Sequence, residues 1–210
     1  MKGLLALLIL IPLLIGVSRY RTAGRSGRLF VFFLAAGLVT DLTMWIMIVI
    51  GKAQSLITVF SYYSLIEALF LFWFLAEVSD SPVVKTIARA CYYLTTPAWA
   101  FFIFIYPHLL ATWSSSSAPF DTSYEVIVSF LGGFILLQMV EKETSVLSSG
   151  IFWLTLGIFF YCFCTFYFMA FIETMIGQKI WFLNNIFNTL SYGLYSVGLW
   201  KMRTVPSIQR

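Results

Sequence analysis

Apolar segments about as long as a membrane is thick recur along the whole chain, and this repetition limits the fold more than any other feature. A helix that rises about 1.5 Å per residue needs roughly 20 apolar residues to cross a hydrocarbon core of about 30 Å. Short connections with turn or charge signals separate the apolar segments. We predict transmembrane helices at 3–19, 29–51, 55–76, 87–107, 122–140, 150–172 and 181–200.

The composition is typical of a chain that is embedded in a lipid bilayer. Hydrophobic residues make up 60% of the 210 positions and charged residues only 10%, whereas a soluble domain is about half apolar and a quarter charged. No connection is long enough to hold a second domain. Residues 1–210 are therefore predicted to form one all-α domain, a polytopic seven-transmembrane-helix bundle that spans the cell (cytoplasmic) membrane several times and has the lipid bilayer as its main partner.

The first segment has an alternative interpretation. Lys2, an apolar run and the small residues Gly16-Val17-Ser18 are also typical of a cleaved signal peptide. Arginines 19, 21, 25 and 28 follow directly and would have to cross the membrane, which positively charged residues resist. We therefore expect this segment to be retained as the first helix.

The distribution of basic residues predicts the orientation of the bundle. Ten of the 13 lysines and arginines lie on one side, in the first, third and fifth connections, at the start of the fourth helix and in the C-terminal tail, and three fall on the other side. Because basic flanks stay in the cytoplasm, we predict that the N-terminus is outside and the C-terminus inside. Basic residues that lie between apolar runs also argue against nucleic acid as a partner.

Two carboxyl groups lie near the middle of predicted helices. Asp41 is in the second helix and Glu67 in the third, where a charge costs about 2.5 to 3.5 kcal/mol on insertion scales. Both should face the interior of the bundle, and at least one is expected to be protonated or strongly paired. No lysine or arginine lies at the same depth, so tyrosines such as Tyr63 are expected to supply hydrogen bonds. Glu125, near the outer start of the fifth helix, is expected to be solvated; the alternative is that it rims an outward-facing pocket.

The seventh helix carries the most complete polar stripe. Asn185, Asn188, Tyr192 and Tyr195 follow one another at spacings of three and four, which places them on one helical face. An unpaired amide is costly in lipid, so this face should point inward, with at least one asparagine bonded to another helix. Tyr161 could extend the polar surface on the sixth helix. The alternative is that these side chains only hold helices together through hydrogen bonds.

Several kinds of chemistry have no sequence support. A retinal protein needs a lysine within the seventh helix, and none occurs between Trp181 and Trp200. No hydrolase or metalloprotease motif is present, and the three cysteines lack metal-binding spacing. We expect neither cofactor nor metal, and no enzymatic activity.

Two segments carry a resemblance to a known family. Tyr63-Ser-Leu-Ile-Glu67 and the asparagine-rich 184–195 stretch resemble seven-transmembrane-helix integral membrane proteins of Bacteroidetes-type bacteria. The resemblance extends to the layout of the whole chain and implies no particular activity. Some relatives are thought of as the membrane half of sensory systems, so it implies that any signal passes to a partner protein.

The polar residues favour a receptor-like or sensory protein that holds a small ligand in a polar pocket within the membrane. A small transporter, with Glu67 handling protons, is the alternative, and a non-catalytic accessory subunit of a membrane complex is another. A transporter must expose Glu67 alternately to both sides, whereas a receptor needs one closed pocket. Association with further copies of the chain stays open. The predicted ligand-binding or proton-handling residues are Glu67, Asp41, Tyr63, Asn185, Asn188, Tyr192 and Tyr161.

Overall fold

The computed structural model describes residues 7–52, 55–106, 118–142, 144–171 and 181–202. Within these ranges the chain is all-α and forms seven α-helices, each of which overlaps one predicted segment. The helices are α1 Leu10–Ser18, preceded by a 3-10 turn at Leu7–Ile9; α2 Arg25–Val49; α3 Ser55–Val78; α4 Pro82–Ala100, which continues as a π-helical turn at Phe101–Ile105; α5 Ala118–Lys142; α6 Gly150–Phe171; and α7 Trp181–Lys201. A 3-10 turn at Val146–Ser148 precedes α6.

Some helices begin earlier than the apolar segments do. Helix α2 starts at Arg25 and α4 at Pro82, four and five residues before the predicted positions of 29 and 87. Helix α4 begins there because the Ser81 hydroxyl accepts a hydrogen bond from the Val84 N–H at 3.5 Å and proline is well suited to a first helical position. Hydropathy marks the part of a helix that fits the hydrocarbon core, whereas the helix itself extends beyond it into polar turns. Residues 3–6, 107 and 172 of the predicted spans lie outside the described residues.

The helices form a closed ring. Consecutive helices pack side by side from α1 to α7, and α7 returns to pack against α1. Helix α3 also packs against α5 and α6, which places it toward the centre of the bundle. Side chains on α3 are therefore in reach of several helices at once.

Glycines bring α6 and α7 unusually close together. A Cβ atom at Gly150 would lie 2.7 Å from the Gly198 carbonyl oxygen, and one at Gly157 would lie 2.5 Å from the Tyr195 ring. Only residues without a side chain allow this approach, which is a common way for membrane helices to pack. The interface of α6 and α7 is thus specified by small residues.

Most of the described lysine and arginine side chains lie at one end of the bundle, which we call the basic end. There the Arg19 guanidinium lies 4.2 Å from the Trp200 ring centroid, which joins the ends of α1 and α7. Lys142 at the end of α5 pairs with Asp80 in the α3–α4 connection at 3.2 Å. The described basic residues at this end are Arg19, Arg21, Arg25, Arg28, Lys85, Arg89, Lys142 and Lys201.

Large apolar side chains cover the outside of the bundle. They project from all seven helices, as illustrated by Leu14, Val39, Ile66, Leu94, Phe130, Phe163 and Leu190, which are 41–66% exposed in six cases and 74% exposed at Phe130. In the part of the chain that the structure describes, four helical segments are long and apolar enough to cross a membrane: Arg25–Val49, Thr58–Val78, Pro119–Lys142 and Gly150–Tyr167. An apolar exterior of this extent is suited to contact with lipid. Both features indicate a helical membrane protein.

Candidate functional site

Glu67 occupies the middle of the central helix. It lies about 17 Å along α3 from Val78 at the basic end, and its side chain is only 5% exposed. The Tyr124 hydroxyl on α5 donates a hydrogen bond to Glu67 Oε2 at 2.9 Å, and Tyr124 is itself buried. The bond is possible because α3 packs directly against α5 as well as against its neighbours along the chain.

Side chains from three further helices surround this carboxyl group. The hydroxyl group of Tyr161 on α6 interacts with the Glu67 carboxyl group by hydrogen bonding. Asp41 on α2 interacts with Glu67 electrostatically. Tyr63 lies one turn before Glu67 on α3 and interacts electrostatically with Glu67, Asp41 and Tyr192 of α7. The structure thus brings together five of the residues predicted from sequence: Glu67, Asp41, Tyr63, Tyr161 and Tyr192.

The degree of burial differs across the site. Asp41 is half-buried, whereas Glu67 is enclosed. The Tyr63 hydroxyl packs against α2, because a Cβ atom at Gly37 would come within 3.2 Å of it. Asp41, one turn after Gly37, therefore lies at the edge of the site and Glu67 in its interior.

The asparagines of α7 are a partial exception to the predicted pattern. Asn185 and Asn188 are both half-buried. The Oδ1 atom of Asn188 is buried and accepts no hydrogen bond within the described ranges. The predicted bond from one of these asparagines to another helix is not found in that part of the chain. The hydroxyl groups of the buried residues Ser191 and Thr165 likewise make no bond to another helix, since each donates to a carbonyl group of its own helix.

Three residues of α5 belong to the site although they were not predicted. Asp121, Tyr124 and Glu125 lie on one helical face at spacings of one, three and four, and each is at least 96% buried. The expectation that Glu125 is solvated was wrong, because its side chain is 1% exposed and the adjacent Tyr124 bonds to Glu67 of α3. The signal available in the sequence was that carboxyl and phenol groups share one face of an otherwise apolar helix.

Glu67, Asp121 and Glu125 form a group that we call the carboxyl cluster. Tyr124, which bonds to Glu67, has Asp121 three residues before it and Glu125 directly after it on α5, and Glu125 interacts electrostatically with both other carboxyl groups. Among the described residues, no lysine or arginine forms an ion pair with Glu67 or Glu125; the ion pair found there is the exposed one between Lys142 and Asp80. The described residues also contain no group of three His, Cys, Asp or Glu side chains placed to hold a metal ion.

An aromatic layer separates the carboxyl cluster from the basic end. Phe30 of α2 lies 4.9 Å from the Tyr195 ring of α7, and Phe33 stacks on Phe70 of α3 at 4.3 Å. Phe30 and Phe74 are completely buried. The layer consists of Phe30, Phe33, Phe70, Phe74 and Tyr195. On α2, α3 and α7 these residues lie between Glu67 and the basic end, so the aromatic layer closes the bundle on that side of Glu67.

Comparison with protein-family models, with curated proteins and with solved structures found no match to this chain. The functional interpretation therefore depends on the geometry of the site and on the chemistry of its residues.

Proposed function

We propose that this chain is a receptor-like membrane protein that binds a small ligand at the carboxyl cluster and passes the signal to a partner protein. The observation that carries the proposal is the convergence of ionisable and phenolic side chains from α2, α3, α5, α6 and α7 around the buried carboxyl group of Glu67. Carboxyl groups inside a membrane are costly and commonly mark ligand or ion sites. Small-molecule sites commonly have a few convergent polar groups in apolar surroundings.

The proposal includes seven membrane spans with the basic end in the cytoplasm. Helices α1, α4 and α7 present large apolar side chains outward, as the four helical segments that are long and apolar enough to cross a membrane also do; Leu14, Leu94 and Leu190 are examples. Helix α7 has 21 residues, which gives about 31 Å of helix and suffices for the hydrocarbon core. Its average apolarity is lowered by Asn184, Asn185 and Asn188. The cytoplasmic position of the basic end follows from the preference of Lys and Arg for that side.

The aromatic layer favours a receptor over a transporter. A transporter would have to open a path from Glu67 to the basic end, and this path runs through Phe30 and Phe74, which have no exposed surface. Rings in edge and stacked contacts form a densely packed barrier. A receptor has no such requirement, since its ligand enters and leaves on one side and biases the packing of the helices.

The experiment is a thermal-unfolding screen of the purified chain in mild detergent against a library of small polar cations, anions and neutral molecules. A ligand that binds only the folded state raises the melting temperature in a saturable manner. We expect at least one compound to do so for the wild-type chain and for Glu77→Gln, which changes an exposed glutamate on the same helix. In Glu67→Gln the shift should be lost, while the ligand-free melting temperature stays within a few degrees of wild type.

Two outcomes would refute the proposal. One is that no compound stabilises the wild-type chain in a saturable manner. The other is that every stabilising compound acts equally on Glu67→Gln, which would leave Glu67 as a structural residue only. A transporter would instead be indicated by uptake of a stabilising compound into sealed vesicles that contain the chain.

A further inference from the structure

We infer that the ligand of the carboxyl cluster is a small organic cation, an amine or quaternary ammonium ion, and that Glu125 is one of its binding residues. This inference rests on the proposed function and specifies the chemical class of the ligand. It starts from the charge balance of the site, where Glu67, Asp121 and Glu125 approach one another in the interior of the bundle. Within the described chain no positively charged side chain forms an ion pair with Glu67 or Glu125.

The Glu125 side chain supplies an independent observation. It is 1% exposed, and its Oε2 atom is buried without a hydrogen-bond partner among the described residues. A buried acceptor without a donor is costly and unusual in a folded protein. The N–H of a protonated amine that enters the site would donate to this oxygen, and either kind of ammonium ion would compensate the negative charge of the neighbouring carboxyl groups.

The surroundings favour an organic cation over a metal ion. In the described ranges the acidic side chains are not placed to coordinate a metal together, so a cation with a larger and more diffuse charge fits better. Aromatic rings accompany the carboxyl groups: Tyr124 lies between Asp121 and Glu125 in sequence and packs on Phe120, with ring centroids 5.3 Å apart. Ring faces attract ammonium groups, most strongly where water is excluded.

The test compares two compounds that differ in charge but hardly in shape. Choline and 3,3-dimethylbutan-1-ol have the same skeleton, with a positively charged nitrogen in the first and a neutral carbon in the second. Binding to the full chain in detergent is followed by the saturable rise in melting temperature, at ionic strength held constant with NaCl. The two smaller cations methylammonium and butylammonium, with methanol and 1-butanol as neutral counterparts, extend the comparison to primary amines.

We expect at least one ammonium ion to stabilise the wild-type chain, and its neutral counterpart to bind at least tenfold more weakly. Glu125→Gln and Glu67→Gln should each weaken ammonium binding at least tenfold. Glu141→Gln is the control, because it removes an exposed carboxyl group from the same helix as Glu125. If Glu125→Gln does not fold, the comparison of Glu67→Gln with Glu77→Gln decides whether ammonium ions bind at the carboxyl cluster.

The outcomes separate this inference from the proposed function. If neutral or anionic compounds stabilise the chain through Glu67 and no ammonium ion does, the inference is wrong and the small-ligand receptor stands. Equal binding of a cation and its neutral counterpart would also overturn it, as would ammonium binding that is unchanged in both Gln variants. If no compound of any charge binds in a way that depends on Glu67, both the inference and the proposed function fail.

Discussion

The Tyr124 hydroxyl on α5 donates a hydrogen bond of 2.9 Å to the Glu67 carboxyl group on α3, and both side chains are buried. The bond joins the central helix to the helix that carries the other two members of the carboxyl cluster. Its donor is a neutral phenol, so the bond orients the carboxyl group without supplying a positive charge.

Replacement of Tyr124 by phenylalanine should destabilise the fold. The ring keeps its packing, but the Glu67 carboxyl group loses a donor in an apolar setting, which costs about 1 kcal/mol. The measurement is the free energy of unfolding in mixed detergent micelles as the denaturing detergent is increased. Tyr93→Phe serves as the control, since Tyr93 is 73% exposed on α4. Equal stability of the two variants would mean that the bond contributes nothing to the fold.

Glu125→Gln should raise the stability of the ligand-free chain at alkaline pH, by about 1 kcal/mol. Charged carboxyl groups at Glu67 and Asp121 repel a charged Glu125, and glutamine removes that repulsion together with the cost of burying the charge. The groups on α6 that face Glu125 are Tyr161 and Cys162, and neither supplies a positive charge.

The gain from Glu125→Gln should depend on pH with a definite sign. At acid pH the carboxyl groups carry protons and the repulsion is absent, so the variant and the wild-type chain should converge in stability. As the pH rises, the wild-type chain should lose stability relative to the variant. Glu141→Gln should show no such divergence. A Glu125→Gln chain that is less stable than wild type at every pH would contradict the charge balance proposed for the cluster.

The sequence allowed the fold and half of the site to be predicted, for different reasons. Apolar runs mark lipid-facing helices directly, so seven helices were expected and seven are found in the described part of the chain. Asp41 and Glu67 were recognisable because carboxyl groups are rare in the middle of such runs. Glu125 was not recognised, because acidic residues in the first turns of a helix are usually solvated. Its burial depends on how α5 packs against α3, which no local pattern in the sequence contains.

The two glycines Gly150 and Gly193 should respond oppositely to alanine. A Cβ atom at Gly150 would meet the Gly198 carbonyl oxygen at 2.7 Å and the Met202 backbone nitrogen at 2.9 Å, and backbone atoms cannot move aside easily. Gly150→Ala should therefore destabilise the chain by about 1–3 kcal/mol. At Gly193 nothing lies within 4 Å of the added atom, so Gly193→Ala should be neutral or stabilise α7 by about 0.5–1 kcal/mol. The same unfolding assay measures both, and a Gly150→Ala chain that is as stable as the wild-type chain would contradict the close approach of α6 and α7.

The proposed topology predicts which connections can be labelled from each side of the membrane. Single cysteines at positions 26 and 145, introduced into a chain whose three native cysteines are replaced by alanine, should react only with reagents that reach the cytoplasm. A cysteine at position 52 should react with an impermeant reagent from outside. Labelling of positions 26 and 52 from the same side would show that α2 does not cross the membrane, and the seven-span topology would then be wrong.

The claim that a small ligand binds at the carboxyl cluster is tested most directly by a crystal structure of the full chain, grown in a lipid phase that is saturated with the most strongly stabilising compound of the screen. We expect density for that compound within hydrogen-bond distance of the Glu67 carboxyl group and in contact with the Tyr124 ring. Density for the compound only at the lipid-facing surface or at the basic end, with the Tyr124–Glu67 bond unchanged and the cluster filled by protein side chains alone, would contradict it.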